Sequence, residues 1–372
     1  QAMKVAIVYD RVNKFGGAER VLLALKKLYP DAPLYTLVYS KPTAPWAKGF
    51  KVIPTFFNKI KFLRRRHEIL APFSALAFET FDLTEFDVVI SVTSDQQAKA
   101  VITRPETLHL CYCLTPTRHL YTAAALYRRH FPLKWLFDKY LPGAKRADQI
   151  YASRPDAYLS ISREVGKRIK EYYGRPSAVI YPPVDYDFFS APHRHKKSNF
   201  YLLVSRLVPY KKVDLVIEAF NRLKLSLIVA GTGSEEKKLK KMAGDTIEFV
   251  GQVNDVKLRR LYAAARALIF PQVEDFGLVP LEAAAAGTPT LAFRAGGALE
   301  TIIDKYTGLF FDEQTPAGIE NTVRRFESHR HQISSKRCRE KAAEFSASLF
   351  SVAFSAKVNS LWQEHQKNMS LS

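Results

Sequence analysis

The residues whose types and spacing can do chemistry gather between Ala267 and Pro289, where the 372-residue chain reads ALIFPQVEDFGLVPLEAAAAGTP. A buried strand is expected to end at Phe270-Pro271. An alanine-rich helix should then run from about Val279-Pro280 to Gly287, because proline suits a first helical turn and glycine a helix end. Glu274 is thereby expected in the loop at the strand's carboxyl end and Glu282 in the first turn of the helix, both able to face one crevice. The amides of Phe276, Gly277 and Leu278 fall at the helix N-terminus, where N–H groups lack intrahelical acceptors and the dipole favours anions or polar oxygens. A carboxylate accepts hydrogen bonds from both hydroxyls of a vicinal diol, so the two glutamates suit a polyol ligand. Simple complementarity to the helix dipole accounts for Glu282 as well, but not for the acidic loop ahead of it.

A second stretch, Ser205-Arg206-Leu207-Val208-Pro209-Tyr210-Lys211-Lys212, follows an apolar run. Arg206 and Lys211, set around a proline turn at the carboxyl end of a strand, can converge on a diphosphate. Each such charge-assisted contact is worth about 1.5–3 kcal/mol. A solvated basic loop has the same composition. Gly16-Gly17-Ala18-Glu19 opens a helix after the first strand and can let a phosphate or an acceptor approach backbone amides. Gly231-Thr232-Gly233 and Gly296-Gly297 follow later strands. Without a third spaced glycine they are weak signals of a dinucleotide site.

These residues need a scaffold, and short β-rich runs alternating with helical stretches supply one. Strands are expected at Val5–Tyr9, Pro33–Tyr39, Val88–Val92, Leu108–Cys113, Ala157–Ile161 and Ala178–Tyr181, with helices at Ala18–Leu28 and Arg163–Tyr173. The scheme restarts with Phe200–Val204, Leu225–Ala230, Ile247–Val250, Ala267–Phe270, Thr290–Phe293 and Gly308–Phe311. The fold class is therefore α/β with two Rossmann-like domains: residues 3–190, residues 191–349, and a crossover helix and tail at 350–372. The boundary is expected near Asp185–Ser198, where prolines and a polar stretch suit a linker. Gln1 and Ala2 precede Met3 and are left out of the fold reading.

Composition narrows the partners. Fifty-six Lys and Arg against 36 Asp and Glu give a net charge of +20, which favours anionic partners. The apolar runs are far shorter than the roughly 20 residues of a membrane-spanning helix, and no charged-then-apolar leader opens the chain, so a cytoplasmic protein is expected. Cys111, Cys113 and Cys338 are too few and too oddly spaced for a structural zinc site; buried reduced thiols, no metal and no disulfide are expected.

In combination, GGAERVL at Gly16–Leu22, FDLTEFDVVIS at Phe81–Ser91, YPPVD at Tyr181–Asp185, SRLVPYKK at Ser205–Lys212 and EDFGLVPLEAAAAGTP followed by GGALET resemble the retaining GT-B glycosyltransferases of family 4. Within that family the similarity is to the mannosyltransferase-like enzymes of bacterial surface-polysaccharide assembly. The resemblance covers nearly the whole chain. It implies a GT-B fold with the two domains facing across a cleft and the last helix crossing back to the first domain. It further implies a hexosyltransferase, with GDP-mannose as the first choice of donor, and a glycan or polyprenyl-diphosphate saccharide as acceptor. Arg206, Lys211 and Glu274 would be the catalytic residues, the two cations on the donor diphosphate and Glu274 on hydroxyls of the transferred sugar. Glu282 would bind the ribose, with the Phe276, Gly277 and Leu278 amides nearby. Ser205 lies in the same donor motif, Gly251 and Val253 would bound the base, and Gly16 and Gly17 would face the diphosphate from the other domain. The implied mechanism is front-side, without cofactor, metal or protein nucleophile. One position departs from the family: Leu114 stands where relatives carry a histidine near the reacting sugar. A different donor sugar, weakened catalysis or a nucleotide-sugar-binding protein without transferase activity would each fit that change. His109 and His119, close in sequence, are expected in structural or surface roles.

The positive charge has its own pattern. Lys51–Arg66 mixes six cations with Phe56, Phe57, Ile60, Phe62 and Leu63 and no acid, and is expected as a helix. Ala125–Lys145 repeats the mixture with Tyr127, Phe131, Trp135 and Phe137. Both suit an anionic membrane surface on the cytoplasmic side, the alternative being a fold with aromatics in the core and charges in water. No nucleic-acid recognition signature is present, and no nucleic-acid partner is expected.

Overall fold

The computed structural model describes residues 3–94, 96–130, 133–192, 198–329 and 332–371, and it divides into two compact units. The first comprises residues 1–182 and 350–372, and the second residues 183–349. Most of the linker stretch expected at His193–Ser198 lies outside the described residues, as does Phe131.

The first unit is built on a seven-stranded parallel sheet: β1 (Val5–Tyr9), β2 (Leu34–Thr36), β3 (Val52–Pro54), β4 (Val88–Thr93), β5 (Leu108–Cys113), β6 (Ala157–Ser160) and β7 (Ala178–Val179). The spatial order is β3-β2-β1-β4-β5-β6-β7. Strands β1, β4 and β5 are buried along their whole length, which is why they read as continuous apolar runs rather than alternating ones. The second unit carries a six-stranded parallel sheet: β8 (Phe200–Val204), β9 (Ser226–Ala230), β10 (Ile247–Gly251), β11 (Leu268–Phe270), β12 (Thr290–Phe293) and β13 (Gly308–Phe311), in the order β10-β9-β8-β11-β12-β13. Its core packs Tyr201, Leu203, Val216, Ile217, Phe220 and Val323 around the sheet. Both sheets reverse their strand order next to the first strand, the arrangement that leaves a crevice at the strands' carboxyl ends.

The closing helix, Ala347–Leu371, places Phe350 and Phe354 on Tyr112 of β5, with ring centroids 6.3 and 5.4 Å apart. The crossing back of the last helix is thus an apolar contact with the middle of the first sheet.

Two expectations about elements are corrected. Lys51–Arg66 is not one helix: β3 opens it, a short 3-10 turn follows at Phe56–Lys59, and the α-helix covers only Lys61–Arg65. Pairing of Val52, Ile53 and Pro54 beside Leu34, Tyr35 and Thr36 outweighs the local mixture of residue types. The strand expected at Pro33–Tyr39 pairs only over Leu34–Thr36, with an isolated bridge between Val12 and Tyr39.

Candidate functional site

In the second unit the strand order decides what meets. Strands β8 and β11 are neighbours at the reversal point, so the loops leaving their carboxyl ends emerge side by side. The first is Ser205–Lys212, which closes in a 3-10 turn at Pro209–Lys211 and passes through a left-handed Lys212 into the helix Val213–Leu223. The second runs from Pro271 to Gly277, where the backbone turns left-handed, φ 95°, and starts the helix Leu278–Ala285. Lys211 and Glu274 bond directly across the two loops. Lys211 is only 7% exposed, so the pair is held within the protein rather than strung across its surface.

Glycines let these loops lie so close. A Cβ on Gly231, after β9, would stand 1.9 Å from the Ser205 carbonyl oxygen, and one on Gly297, after β12, 2.2 Å from both Cα and O of Phe276. The Gly297 amide also donates to the Glu274 carbonyl at 2.8 Å. Two turns that carried little weight alone are the surfaces against which the candidate donor loops are moulded. Gly251 continues the stack, its carbonyl accepting from the Gly231 amide at 2.8 Å, with half-buried Val253 just beyond.

Arg206 is exposed. Its guanidinium bonds to the Tyr210 hydroxyl and lies 5.9 Å from that ring, while the Lys211 ammonium lies 5.0 Å from the same ring. Tyr210, whose role the motif alone did not reveal, therefore touches both cations. Ser205 turns its hydroxyl to the Arg206 carbonyl at 3.1 Å.

Glu282 requires a correction. It is the fifth residue of Leu278–Ala285 and belongs to the second turn, so dipole complementarity at the first turn does not explain it. It is 6% exposed, and its Oε2 accepts from the Tyr262 hydroxyl at 2.9 Å. Tyr262, on the helix Asp255–Ala264, is fully buried against Phe189. A tyrosine on an amphipathic helix reads as core, and nothing in the sequence marks this one as a carboxylate partner. The Phe276 side chain is structural, its ring 5.6 Å from that of Phe345; Gly277 and Leu278 stand where helix N–H groups have no intrahelical acceptor.

In the first unit, Gly16 precedes the helix Gly17–Leu28 in extended backbone, φ −173°, which any residue adopts. A Cβ there would meet only Glu19 Oε2, at 3.4 Å. Glu19 is buried and accepts from the Tyr9 hydroxyl at 2.7 Å; burial and the Glu19 charge hold that hydroxyl well above its usual pKa, so it remains the donor. The loop after β4 packs beside this one: Asp10 accepts from the Ser94 amide at 2.6 Å and the Ala98 amide at 3.3 Å.

Leu114 follows β5 as a buried apolar residue whose amide donates to the Thr93 carbonyl at 2.9 Å. His109 is fully buried on β5, its Nε2 2.9 Å from the Ser91 hydroxyl; burial, aided by the Arg154 charge, brings its pKa down to about 3. His119 is partly exposed beside Tyr127, with the rings 5.8 Å apart. Cys111, Cys113 and Cys338 are buried free thiols. Among the described residues no group of three or more His, Cys, Asp or Glu side chains forms a metal-binding cluster, and no helix is long and apolar enough to cross a membrane.

Against known proteins, residues 185–345 match the family Glycosyl transferases group 1. The GDP-mannose-dependent alpha-(1-6)-phosphatidylinositol monomannoside mannosyltransferase of Mycolicibacterium smegmatis is 30% identical over 203 residues, 46% of this chain and 53% of that protein. The D-inositol 3-phosphate glycosyltransferase of Geodermatophilus obscurus is 28% identical over 211 residues, 48% of this chain and 47% of that protein. The chain thus spans about half the length of such relatives. Among solved structures, HepE of Anabaena in complex with UDP superimposes with a TM-score of 0.72 at 18% identity, covering 96% of this chain and all of that one. The sucrose-phosphate synthase of Thermosynechococcus elongatus gives 0.76 at 15% identity over 97% of this chain and all of that one. The structural likenesses show the fold, two Rossmann-like parallel-sheet units of the GT-B type, and the stretch that matches the group 1 family lies within the second.

Proposed function

We propose that this chain is a retaining family 4 glycosyltransferase that moves a hexose, with mannose from GDP-mannose as the first assignment, to a glycan or a lipid-diphosphate-linked saccharide at the inner face of the cell membrane. The observation that carries the reading is the Lys211–Glu274 bond across the strand-order reversal of the unit that matches the glycosyltransferase family. A cation and a carboxylate fixed together there suit a ligand with phosphate at one end and hydroxyls at the other. A GDP-mannose-dependent enzyme among the sequence relatives and a structural neighbour in complex with UDP support a nucleotide-sugar donor.

In this mechanism Arg206 and Lys211 hold the diphosphate and stabilise the charge that grows on it. Glu274 orients the sugar, and Glu282, steadied by Tyr262, takes the ribose hydroxyls. The bond from the anomeric carbon to the donor phosphate oxygen breaks as the acceptor oxygen bonds on the same face. The departing phosphate takes the acceptor's proton, so protein nucleophile and metal have no required part. Loss of one such electrostatic donor costs about 2.7–4 kcal/mol of transition-state stabilisation.

Thermal unfolding with GDP, UDP and ADP tests the donor. A nucleotide at 100 times its Kd adds about 2.7 kcal/mol, and GDP is expected to give the largest shift. Equal shifts from all three would remove the GDP preference, and no shift from any would overturn the donor site.

A second reading is favoured by buried, apolar Leu114: a nucleotide-sugar-binding protein with weak or no transfer. Leu114→His is expected to raise transfer if that imidazole alone is missing, whereas unchanged transfer would discard that explanation. Exposed Phe56, Ile60 and Phe62 interleaved with Lys59 and Lys61 support the membrane partner. Flotation should retain the chain on anionic vesicles, and equal retention on neutral ones would count against it.

A further inference from the structure

The first unit contains a pocket of about 390 Å³ with no residue of the candidate donor site in it. One wall is the helix Lys134–Ala152, where Gly143, Ala144 and Ala147, with Ala147 three and four residues beyond the other two, leave a shallow, side-chain-poor trough. Ala71, Ala75 and Leu120 continue the apolar lining. Gln97 also lines it, and is itself locked in a buried polar network. Its Nε2 donates to Asp148 Oδ1 at 2.8 Å, its Oε1 accepts from Lys99 Nζ at 2.8 Å, and Lys99 pairs with Asp148 at 2.7 Å. Asp148 lies on the same helix as the trough, so this network fixes that wall against the segment after β4.

Charge and exposure around the pocket point one way. Lys139 lines it, stands 5.3 Å over the Trp135 ring and pairs with no carboxylate among the described residues. His119 lines it as well. The nearby acids are engaged: Asp138 holds Arg128 and Asp148 holds Lys99. Residues flanking the lining in sequence turn large apolar side chains to solvent, among them Phe73 at 55% and Leu76 at 60% exposure. Of the polar lining residues Gln97 is taken up by Asp148 and Lys99, which leaves Lys139, His119 and the phenols of Tyr140 and Tyr151 beside an apolar run of Ala71, Pro72, Ala75, Leu120, Ala144 and Ala147. A hydrocarbon with an anionic end matches what is present.

We propose that this pocket binds a lipid phosphate, its chain along the Gly143–Ala144–Ala147 trough and its phosphate at Lys139 beside His119. The volume is that of a small-molecule site, so it takes the phosphate-proximal part of a longer chain. The inference rests on the transferase reading and deepens it, since it gives the acceptor's lipid anchor a site of its own.

The probe is farnesyl phosphate, titrated into the full chain and followed by tryptophan fluorescence and by its own phosphorus resonance. Saturable binding is expected. Lys139→Gln should weaken it by about 10–150-fold, the loss of one charge-assisted contact, while leaving farnesol binding unchanged. Ala147→Trp, which fills the trough, should weaken both ligands roughly tenfold or more, and the milder Ala144→Leu serves if Ala147→Trp does not fold. The same variants should keep the parent's thermal shift with GDP or UDP. Non-saturable binding, or equal farnesyl phosphate affinity in a folded trough-filled variant, overturns the site. Competition by inorganic phosphate at the affinity of farnesyl phosphate would mean an anion site without a lipid role. Binding of farnesyl phosphate by a chain that binds no nucleotide would sink the transferase reading and leave the pocket standing.

Discussion

The Lys211–Glu274 pair joins two loops that nothing in the local sequence requires to touch, and breaking it separates its structural role from the ligand-binding role proposed for it. The perturbations are Lys211→Met, Glu274→Gln and the double variant. The side chains are 9% and 23% exposed, which places the pair between a surface ion pair, worth about 0.2–1 kcal/mol, and a buried one, whose rupture costs about 3–5 kcal/mol. Each single change should therefore cost the second unit about 1–3 kcal/mol without ligand, and the double variant should recover much of it, because no charge is then left without its partner. For a unit of this size that is about 2–4 °C per kcal/mol in its unfolding transition. Nucleotide affinity divides the two residues. Lys211→Met should weaken GDP or UDP binding by about 10–150-fold through loss of a charge-assisted phosphate contact. Glu274→Gln should not weaken the free nucleotide, since Lys211 is then released wholly to the phosphate, but should slow transfer from the nucleotide sugar. Calorimetric titration and thermal unfolding on the four proteins read both outcomes. Additive single effects, or a loss of nucleotide affinity in Glu274→Gln as large as in Lys211→Met, would refute the assignment of phosphate to one residue and sugar to the other.

Tyr262→Phe removes a hydroxyl that donates to Glu282 Oε2 and is expected to cost about 1–2 kcal/mol of nucleotide binding, roughly five- to thirtyfold, in the same titration; unaltered affinity would leave Tyr262 a packing residue only. Gly297→Ala forces a Cβ onto the Phe276 backbone and should both destabilise the second unit by about 1–3 kcal/mol and displace the 274–277 loop, whereas Gly16→Ala should leave stability within about 0.5 kcal/mol. Equal behaviour of the two in denaturant titrations would contradict the role given to the close approach. His109 is neutral when folded, its pKa near 3, and takes up a proton near pH 6.5 when unfolded. Its contribution is therefore full above pH 6.5 and lost as pH falls towards 3, by up to about 1.4 kcal/mol per unit. Urea unfolding at pH 7 and pH 5 should give a flatter slope for His109→Gln than for the parent, and identical slopes would reject the assignment.

Much of this was legible in the chain itself. Strands β1, β4, β5, β8, β12 and β13 announce themselves because parallel strands covered on both faces are short unbroken apolar runs, and Pro280 and Gly287 bracket the 278–285 helix by backbone geometry alone. Such signals are local, so they survive in one dimension. Strand β3 escaped notice because its three residues owe their extended form to pairing with β2, a neighbour sixteen residues away whose presence no local pattern records. Residue type and spacing also singled out Arg206, Lys211, Glu274 and Glu282 as the candidate site residues.

The tertiary structure alone decided how those residues are partnered. Glu282 looks like a first-turn acid until the helix is seen to begin at Leu278 and Tyr262, twenty residues earlier, is found bonded to it. The meeting of Lys211 and Glu274 follows from β8 and β11 lying side by side where the strand order reverses, a property of the sheet and not of either loop. The glycines after β9 and β12 matter for the same reason: which backbone they must clear is known only once the strands are ordered. Sequence determined most of the elements and the candidate polar side chains they carry, because propensity, caps and burial act over a few residues. Packing of distant strands determined who neutralises whom, because charge and hydrogen bonding depend on distance in space.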